Sequence, residues 1–483
     1  MKKILFIIGV LMGMVFQVKA GGLVTNSNQS ASYYRMLARG ASTSGDAVYY
    51  NPAGLAFLDQ GLTVSFNTQM IWMKRTLNSN LETLNNSKFV GELYVPFFPG
   101  IYAAYKTEKW AFSLGFNPPA GGGSVEFADG LPMLENPFSL MPANFLNIPA
   151  LGLTTDSYTM QSMLKGTSIV YGVQAGASYR INDMISVFGG IRMMFASNSY
   201  EGYAEDIKFN PSSPALPGFG IPADGTMRSA PDFLNAMGNL FAGMGNEEGA
   251  TGMRALAAGT VNQYLDAKQK GNGVAPILGL HFRINSLNLA AKYEFNTKIT
   301  LKNETAEGKN AMNLYPDGKE LRSDVPALLS LAGSYDIIPA LKFSVTYLHH
   351  FEPQATLENW DGSKIVQRQD LIDSGTNELM AGLEWKITDK LTISTGCQYS
   401  NVSVKDTWQN DITHNLDNFT MGLGVAYHFG ERLTLNIGGL NTWYTPVSIN
   451  DIATVPNTPV SASYIKKYDR SNKAIALGID YRF

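Results

Sequence analysis

The stretch Ile475 to Phe483, IALGIDYRF, carries more of the fold than any other in this chain. Ile475, Leu477, Ile479, Tyr481 and Phe483 lie on one row, and Ala476, Gly478, Asp480 and Arg482 lie on the other. Period-two alternation of this kind gives a strand one apolar face and one small or charged face. A soluble sheet produces the same alternation. An apolar row carried to a final exposed aromatic is instead expected of the strand that closes an outer-membrane barrel, with Phe483 as the residue offered to the barrel-assembly machinery.

The pattern repeats upstream. Phe419, Met421, Leu423, Val425, Tyr427 and Phe429 alternate with Thr420, Gly422, Gly424, Ala426 and His428. Leu287, Leu289, Ala291, Tyr293 and Phe295 alternate with Asn288, Ala290, Lys292, Glu294 and Asn296. The apolar row never carries a charge, whereas the other admits Arg, Lys or Glu. That is apolar-out and polar-in, the inverse of a soluble barrel. Tight turns near Thr107–Lys109, Asn182–Met184, Asn285–Ser286, Asp336–Ala340, Thr388–Lys390 and Gly430–Glu431 alternate with long connections. The long ones fall near 74–87, 118–166, 210–272, 303–323, 353–375, 407–414 and 445–470. The expected fold class is all-β, a transmembrane antiparallel β-barrel of about fourteen strands, with short turns at one end and long loops at the other.

The rest of the chain narrows the function. Lys2 and Lys3, the apolar run Ile4–Phe16 and the small-residue site Val18-Lys19-Ala20 predict a signal peptide over 1–20. No later run approaches the ~20 apolar residues of a spanning helix. A net charge of −3 without a basic patch argues against nucleic acid. The single cysteine, Cys397, excludes an internal disulfide framework. None of the five histidines sits in a GxSxG or HExxH context, and His349 and His350 point to opposite faces of a strand. No enzyme activity, cofactor or metal site is expected.

Two long loops carry apolar periodicity of their own. Phe233, Met237, Leu240, Phe241 and Met244 recur at helical spacing, followed by Met253, Leu256, Ala257, Val261 and Tyr264. The 131–153 stretch is equally apolar, from Leu131 and Met133 to Leu146 and Ile148. Either these loops pack on each other and cap the barrel, or they also form a flexible, Met-rich capture groove.

Ahead of the first strand lies YYRMLARGASTSGDAVYYNPAGLAFL, Tyr33 to Leu58, containing Asn51-Pro52-Ala53-Gly54. This block resembles the N-terminal hatch of the FadL/OmpP1/TodX family, outer-membrane transporters of long-chain fatty acids and other hydrophobic compounds. The strand count and Phe483 extend the resemblance over the mature chain. It implies a hatch over 21–60 plugging a barrel over 61–483, with long extracellular loops at 118–166 and 210–272, in the outer membrane of a Gram-negative bacterium. It further implies passive transport: capture at the loops, an apolar pocket, and sideways release where the third strand breaks. The matching positions here are Asn117, Pro118, Pro119, Gly121, Gly122 and Gly123, since prolines donate no ladder hydrogen bond and glycines fill no wall. The capture loop would hold Phe233, Met237, Leu240, Phe241 and Met244. The family's second capture loop would fall at 303–323, which is polar here, and the apolar 118–166 loop is the candidate substitute.

For the pocket, the bulky apolar residues of the polar row are the candidates: Phe188, Met194, Leu348 and Met380. Packing against a hatch explains each of them equally well. Arg192, Arg180, Arg283 and Lys292 are candidate partners for a carboxylate headgroup, although inward charges in barrels commonly pair with each other. The expected partners are hydrophobic small molecules, outer-membrane lipid and lipopolysaccharide. Two rival functions stay open, a general diffusion porin and a barrel serving secretion or surface assembly.

Overall fold

The structure, a computed structural model, describes residues 25–455 and 458–483, so the expected signal peptide and residues 21–24 lie outside the described residues. Among the described residues, fourteen antiparallel strands close into a barrel. They are β1 Gly61–Ser79, β2 in two segments Lys88–Val95 and Gly100–Lys106, β3 Trp110–Phe127, β4 Tyr158–Arg180 and β5 Ile185–Phe209. Then follow β6 Gln263–Ile284, β7 in two segments Leu287–Glu294 and Thr300–Asn310, and β8 in two segments Glu320–Arg322 and Leu328–Ile338. The circuit continues through β9 Leu341–His350, β10 Asn377–Lys386, β11 Leu391–Asn401 and β12 Asn418–Phe429. It ends with β13, in segments Leu433–Tyr444 and Val447–Thr454, and β14 Ser461–Arg482. Each strand pairs with its sequence neighbours, and β14 returns to β1 from Thr63–Arg482 to Ser79–Lys466.

The rows face as the alternation predicts. Leu423 is 70% exposed on the outside, with Leu477 and Ile479 also exposed, while Asn67, Gln69, Gln174 and Asn436 are buried inside. Only a lipid surround makes such an exterior favourable. On β12 and its neighbours, the pairs Phe419–Trp443 and Tyr427–Phe429 mark two aromatic levels. Residues 419 and 427 are eight apart, roughly 26 Å along a strand, the separation of two interfacial girdles. The protein is a transmembrane barrel of the outer membrane.

The strands reach further than the sequence pattern suggested. Residues 118–127, 158–166, 263–272, 303–310 and most of 445–470, expected as loops, continue the strands. β4, β5, β6 and β14 have 23, 25, 22 and 22 residues, against 10 to 12 for β9 through β12. A strand crosses the bilayer in ~9–11 residues. Beyond it no lipid demands an apolar outer row, so alternation fades while backbone pairing carries on.

Residues 25–60 fill the lumen as short helices α1 Ala31–Arg35 and α2 Ala47–Tyr50 and a 3₁₀ turn Pro52–Phe57. Wall glycines admit them. A Cβ on Gly438 would stand 2.7 Å from the Arg35 nitrogen, and one on Gly396 would stand 2.8 Å from that of Leu37. Above the hatch, the loops form α3 Pro132–Phe145, α4 Ala230–Gly243 and α5 Glu247–Gly259. Phe233, Leu234 and Met237 of α4 are buried in one cluster with Phe138, Leu140 and Met141 of α3. The apolar loops therefore do pack on each other and cap the barrel.

Candidate ligand channel and lateral opening

The wall is incomplete between β2 and β3, and the cause is written in both strands. Their facing stretches carry Pro96 and Pro99 on one side and Pro118 and Pro119 on the other. A proline nitrogen cannot join a ladder. Pairing runs from Lys106–Ala111 to Ile101–Phe116, stops, and returns only at Glu92–Glu126. Each strand stays tied to its other neighbour. Phe98 N donates to Gln69 O of β1 at 3.1 Å. β3 keeps Ala120–Val170 and Gly121–Ile169 with β4, through irregularities between Asn117 and Ala120 and between Gly121 and Gly123. Gly121 (φ 84°) and Gly123 (φ 95°) adopt left-handed backbone that an L side chain strains. Residues 117–123, expected at the start of a loop, lie inside the third strand, where its register is irregular.

The hatch covers this break from inside. Asn26 N donates to Pro119 O at 2.8 Å, the Gln29 amide donates to Pro118 O at 3.1 Å, and Asn117 donates to Gln29 Oε1 at 2.8 Å. Thr25 forms a bridge with Ala120, and the Asn26 amide donates to Gly121 O. Backbone carbonyls that a complete β2 would have satisfied are satisfied by residues 25–29 instead. The same segment is held to the far wall by Thr25–His350 (3.0 Å) and Ser27–Glu378 (2.9 Å).

Beside the break, at Gly121 and Gly122, lies a cavity of about 140 Å³ that is apolar along Ile71, Met73, Phe98 and Leu440 and polar along Asn28, Glu378, Gln398 and Thr420. A second, of about 30 Å³, is lined by Leu348 and Met380 with Tyr33 and Tyr49 of the hatch. Ile71, Met73 and Phe98 belong to one apolar cluster with Phe89, Leu93, Val125, Phe127, Leu131 and Met133. An apolar column therefore descends from the cap to the break.

The candidate pocket residues separate in space. Leu348 and Met380 meet in the small cavity. Met194 packs in the wall with Ala120 and Val170, next to the break. Phe188 lies elsewhere, against Ala53 of the hatch and Ile277. Arg192, 1% exposed, pairs with Glu294, donates to Gln174 Oε1 at 2.6 Å and stands 4.8 Å over the Tyr49 ring. Lys292 takes the other Glu294 oxygen at 2.7 Å. The carboxylate already holds both cations. In the loops, Phe233 and Met237 are buried, Leu240 and Phe241 are half-buried, and Met244 is 51% exposed.

The Asn-Pro-Ala-Gly block anchors the hatch. The Asn51 amide donates to Ser42 O and pairs with His281 Nδ1, both at 2.9 Å. Ser178 and Ser186 of the wall donate to the carbonyls of Pro52 (2.6 Å) and Ala53 (2.7 Å). A Cβ on Gly54 would meet Ser42 O at 2.7 Å, so only glycine fits there without displacing backbone. Upstream, Arg39 pairs with Asp46 at 2.7 Å, and Ser30 and Ser42 donate to the same carboxylate. Burial alone would raise the Asp46 pKa, but the Arg39 charge and these hydrogen bonds hold it below the ordinary value.

Ile71, Met73, Phe98 and the 25–29 segment were not singled out by sequence. Ile71 and Met73 share the inward row of β1 with Asn67 and Gln69, so the rule that picked out Met380 also reaches them. Pro96 and Pro99 were the matching signal in β2.

Residues 153–483 match the family model described as outer membrane protein transport protein (OMPP1/FadL/TodX). No curated protein matches the chain. Similar solved structures include a FadL homologue of Pseudomonas aeruginosa, 13% identical over 97% of this chain and 100% of that one, with a TM-score of 0.63. The toluene transporter TodX of Pseudomonas putida is 12% identical over 95% and 99%, with a TM-score of 0.56. TbuX, a toluene transporter of Ralstonia pickettii, is 14% identical over 91% and 94%, with a TM-score of 0.50. At these identities the likeness is one of fold.

Proposed function

The chain belongs to the OMPP1/FadL/TodX family of outer membrane transport proteins, and from that premise we propose that it carries hydrophobic molecules, long-chain fatty acids first among them, passively across the outer membrane. The observation that carries this reading is the apolar column ending at a wall opening covered only by the hatch. Ligand is captured beside α4, where Met244 is exposed, passes α3, and rests along Ile71, Met73 and Phe98. Residues 25–29 then leave the carbonyls of Pro118 and Pro119, and the ligand slides between β2 and β3 into the bilayer.

Physical chemistry favours a sideways exit. Burial stabilises an alkyl chain by about 0.8 kcal/mol per CH₂, so a chain of about sixteen carbons gains roughly 13 kcal/mol on leaving water. Release into water would have to return all of it, whereas release into lipid returns almost none. The solved TodX and TbuX are named as toluene transporters, which supports a hydrophobic cargo in general terms. Lipopolysaccharide is the surrounding layer that makes such a route necessary, and exposed Phe483 is the segment offered to the assembly machinery. A hatch filling the lumen disfavours the diffusion-porin reading.

Equilibrium binding of labelled hexadecanoate to the purified barrel, with uptake into cells that carry or lack the chain, tests the proposal. Saturable binding and chain-dependent uptake are expected. Absence of both, with steady ion conductance in planar bilayers, would replace transport of apolar cargo with an aqueous pore.

A further inference from the structure

The outside of the wall gathers cations on β6, β7 and the start of β8, just above the lipid-facing band. Lys268 and Lys270 of β6, Lys302 of β7 and Lys298, between the two segments of β7, are all exposed there. Register fixes their height. Phe195 of β5, exposed on the outer row, stands opposite Asn272, and the next outward pairs toward the loops are Ser197–Lys270 and Ser199–Lys268. Two residues rise about 7 Å along a strand, so Lys270 sits one step above the aromatic level, where acyl chains give way to headgroups. Lys302 is the direct partner of Lys270 on the neighbouring strand. Lys298 lies lower, three residues past exposed Phe295, and its long stem lets the ammonium reach up to the same height.

Like charges directly opposite each other weaken a ladder, and the wall answers only part of this charge. Lys270 pairs with Glu304 at 3.0 Å, and Arg322, opposite Thr300 on β8, pairs with Asp324 at 2.7 Å. Glu320 stands opposite Lys302 in register. Glu201 and Asp266, opposite each other, lie one step further from the bilayer than Lys268. Among the described residues, Lys268, Lys298 and Lys302 make no ion pair. The far wall differs. The only lysines of β9 to β12 are Lys342 and Lys386, both beside the tight turns at the other end, and these strands hold no arginine. Cations at the headgroup level are therefore a property of one side of the barrel, in a chain whose net charge is −3.

We infer that the outer face of β6 to β8 is a docking site for the phosphorylated sugar headgroup of lipopolysaccharide, whose acyl chains lie on the apolar outer row below, along Met193, Val274 and Leu278. A phosphate between Lys270 and Lys302 removes their repulsion, and lysine binds phosphate as a point charge. Three lysines without ion pairs, on two strands, match a headgroup bearing more than one phosphate better than they match a phospholipid with a single one. The site lies on the outside of the wall and is independent of what the lumen carries. It fixes one side of the barrel against the outer leaflet.

Titration of the full chain, folded in detergent, with bisphosphorylated lipid A and with phosphatidylglycerol, read by native mass spectrometry, tests this. The native chain should hold lipid A roughly tenfold or more tightly than phosphatidylglycerol, and rising salt should narrow the difference. Lys298→Gln/Lys302→Gln should lower lipid A affinity roughly tenfold or more, while Lys298→Arg/Lys302→Arg keeps the charge and should keep the affinity. Lys109→Gln/Lys390→Gln removes the same charge from the tight turns at the other end and should change nothing. Equal affinity of the native chain for the two lipids overturns the lipopolysaccharide site in favour of a general anionic-lipid surface. Lipid A affinity unchanged in Lys298→Gln/Lys302→Gln overturns the placement on β6 to β8.

Discussion

The barrel has one seam that closes fully and one that does not. β14 and β1 pair residue by residue from Thr63–Arg482 to Ser79–Lys466, even though the two strands lie at opposite ends of the sequence. β2 and β3 are adjacent in sequence, yet their ladder fails beyond Ile101–Phe116. Local chemistry rather than topology makes the difference. β1 and β14 contain no proline, while the facing stretches of β2 and β3 carry four, followed by Gly121, Gly122 and Gly123. An exposed sheet edge is not tolerated in lipid unless protein covers it. The hatch supplies that cover at Pro118 and Pro119, so the open seam and the plug need each other.

The largest effect should come from giving the closed seam the chemistry of the open one. Thr68→Pro in mid-β1, opposite Leu477, removes a donor where no hatch residue compensates. The lost ladder hydrogen bond leaves a carbonyl in lipid unpaired, at a cost of about 1–3 kcal/mol, and the heat-modifiable folded band on gels should fall sharply. A normal yield of folded barrel would mean that a wall proline alone does not open a seam.

Next comes locking the open seam. Thr25 and Ala120 form an antiparallel bridge, within reach of a disulfide. In a Cys397→Ser background, the oxidised Thr25→Cys/Ala120→Cys pair should stop uptake, and a reductant should restore it. Uptake indifferent to oxidation would remove residues 25–29 from the exit route. A smaller effect, roughly a tenfold fall in uptake if lateral exit limits the rate, is expected of Gly122→Trp, with capture at the outer loops retained. The tenfold figure corresponds to about 1.4 kcal/mol on the barrier.

The smallest effect concerns the hatch beneath the opening. Asp46 has a folded pKa below its unfolded value of about 3.9. Its contribution is therefore complete above that value and is lost as pH falls through the folded pKa. Protease protection of the hatch should hold from pH 8 to about pH 4 and weaken only below, with Asp46→Asn weaker throughout and less sensitive to acid. Protection lost already near pH 6 would assign the acid response to other groups.

Much of this molecule was legible in its residues. The rows of IALGIDYRF, the charge-free outer rows and the turn asymmetry describe a lipid-facing barrel, because a strand's side chains alternate whatever lies beyond it. Asn51 to Gly54 stood out as a turn-forming block, and Pro118 to Gly123 as a stretch short of ladder donors and side chains. Phe188 and Met380 show where such reading ends. Both are bulky residues on an inward row, yet one packs on Ala53 and the other lines a cavity. Alternation reports which face a residue takes, not how deep it sits or what hatch residue meets it. Loop boundaries blurred for a related reason, since pairing above the bilayer needs no apolar row.

Sequence periodicity alone set the wall, its orientation and the lack of pairing donors at Pro96, Pro99, Pro118 and Pro119. Tertiary contact alone brought Asn26 to Pro119 and Arg75 to Arg470, residues 93 and 395 positions apart, since such meetings depend on how the lumen is filled and how the barrel closes.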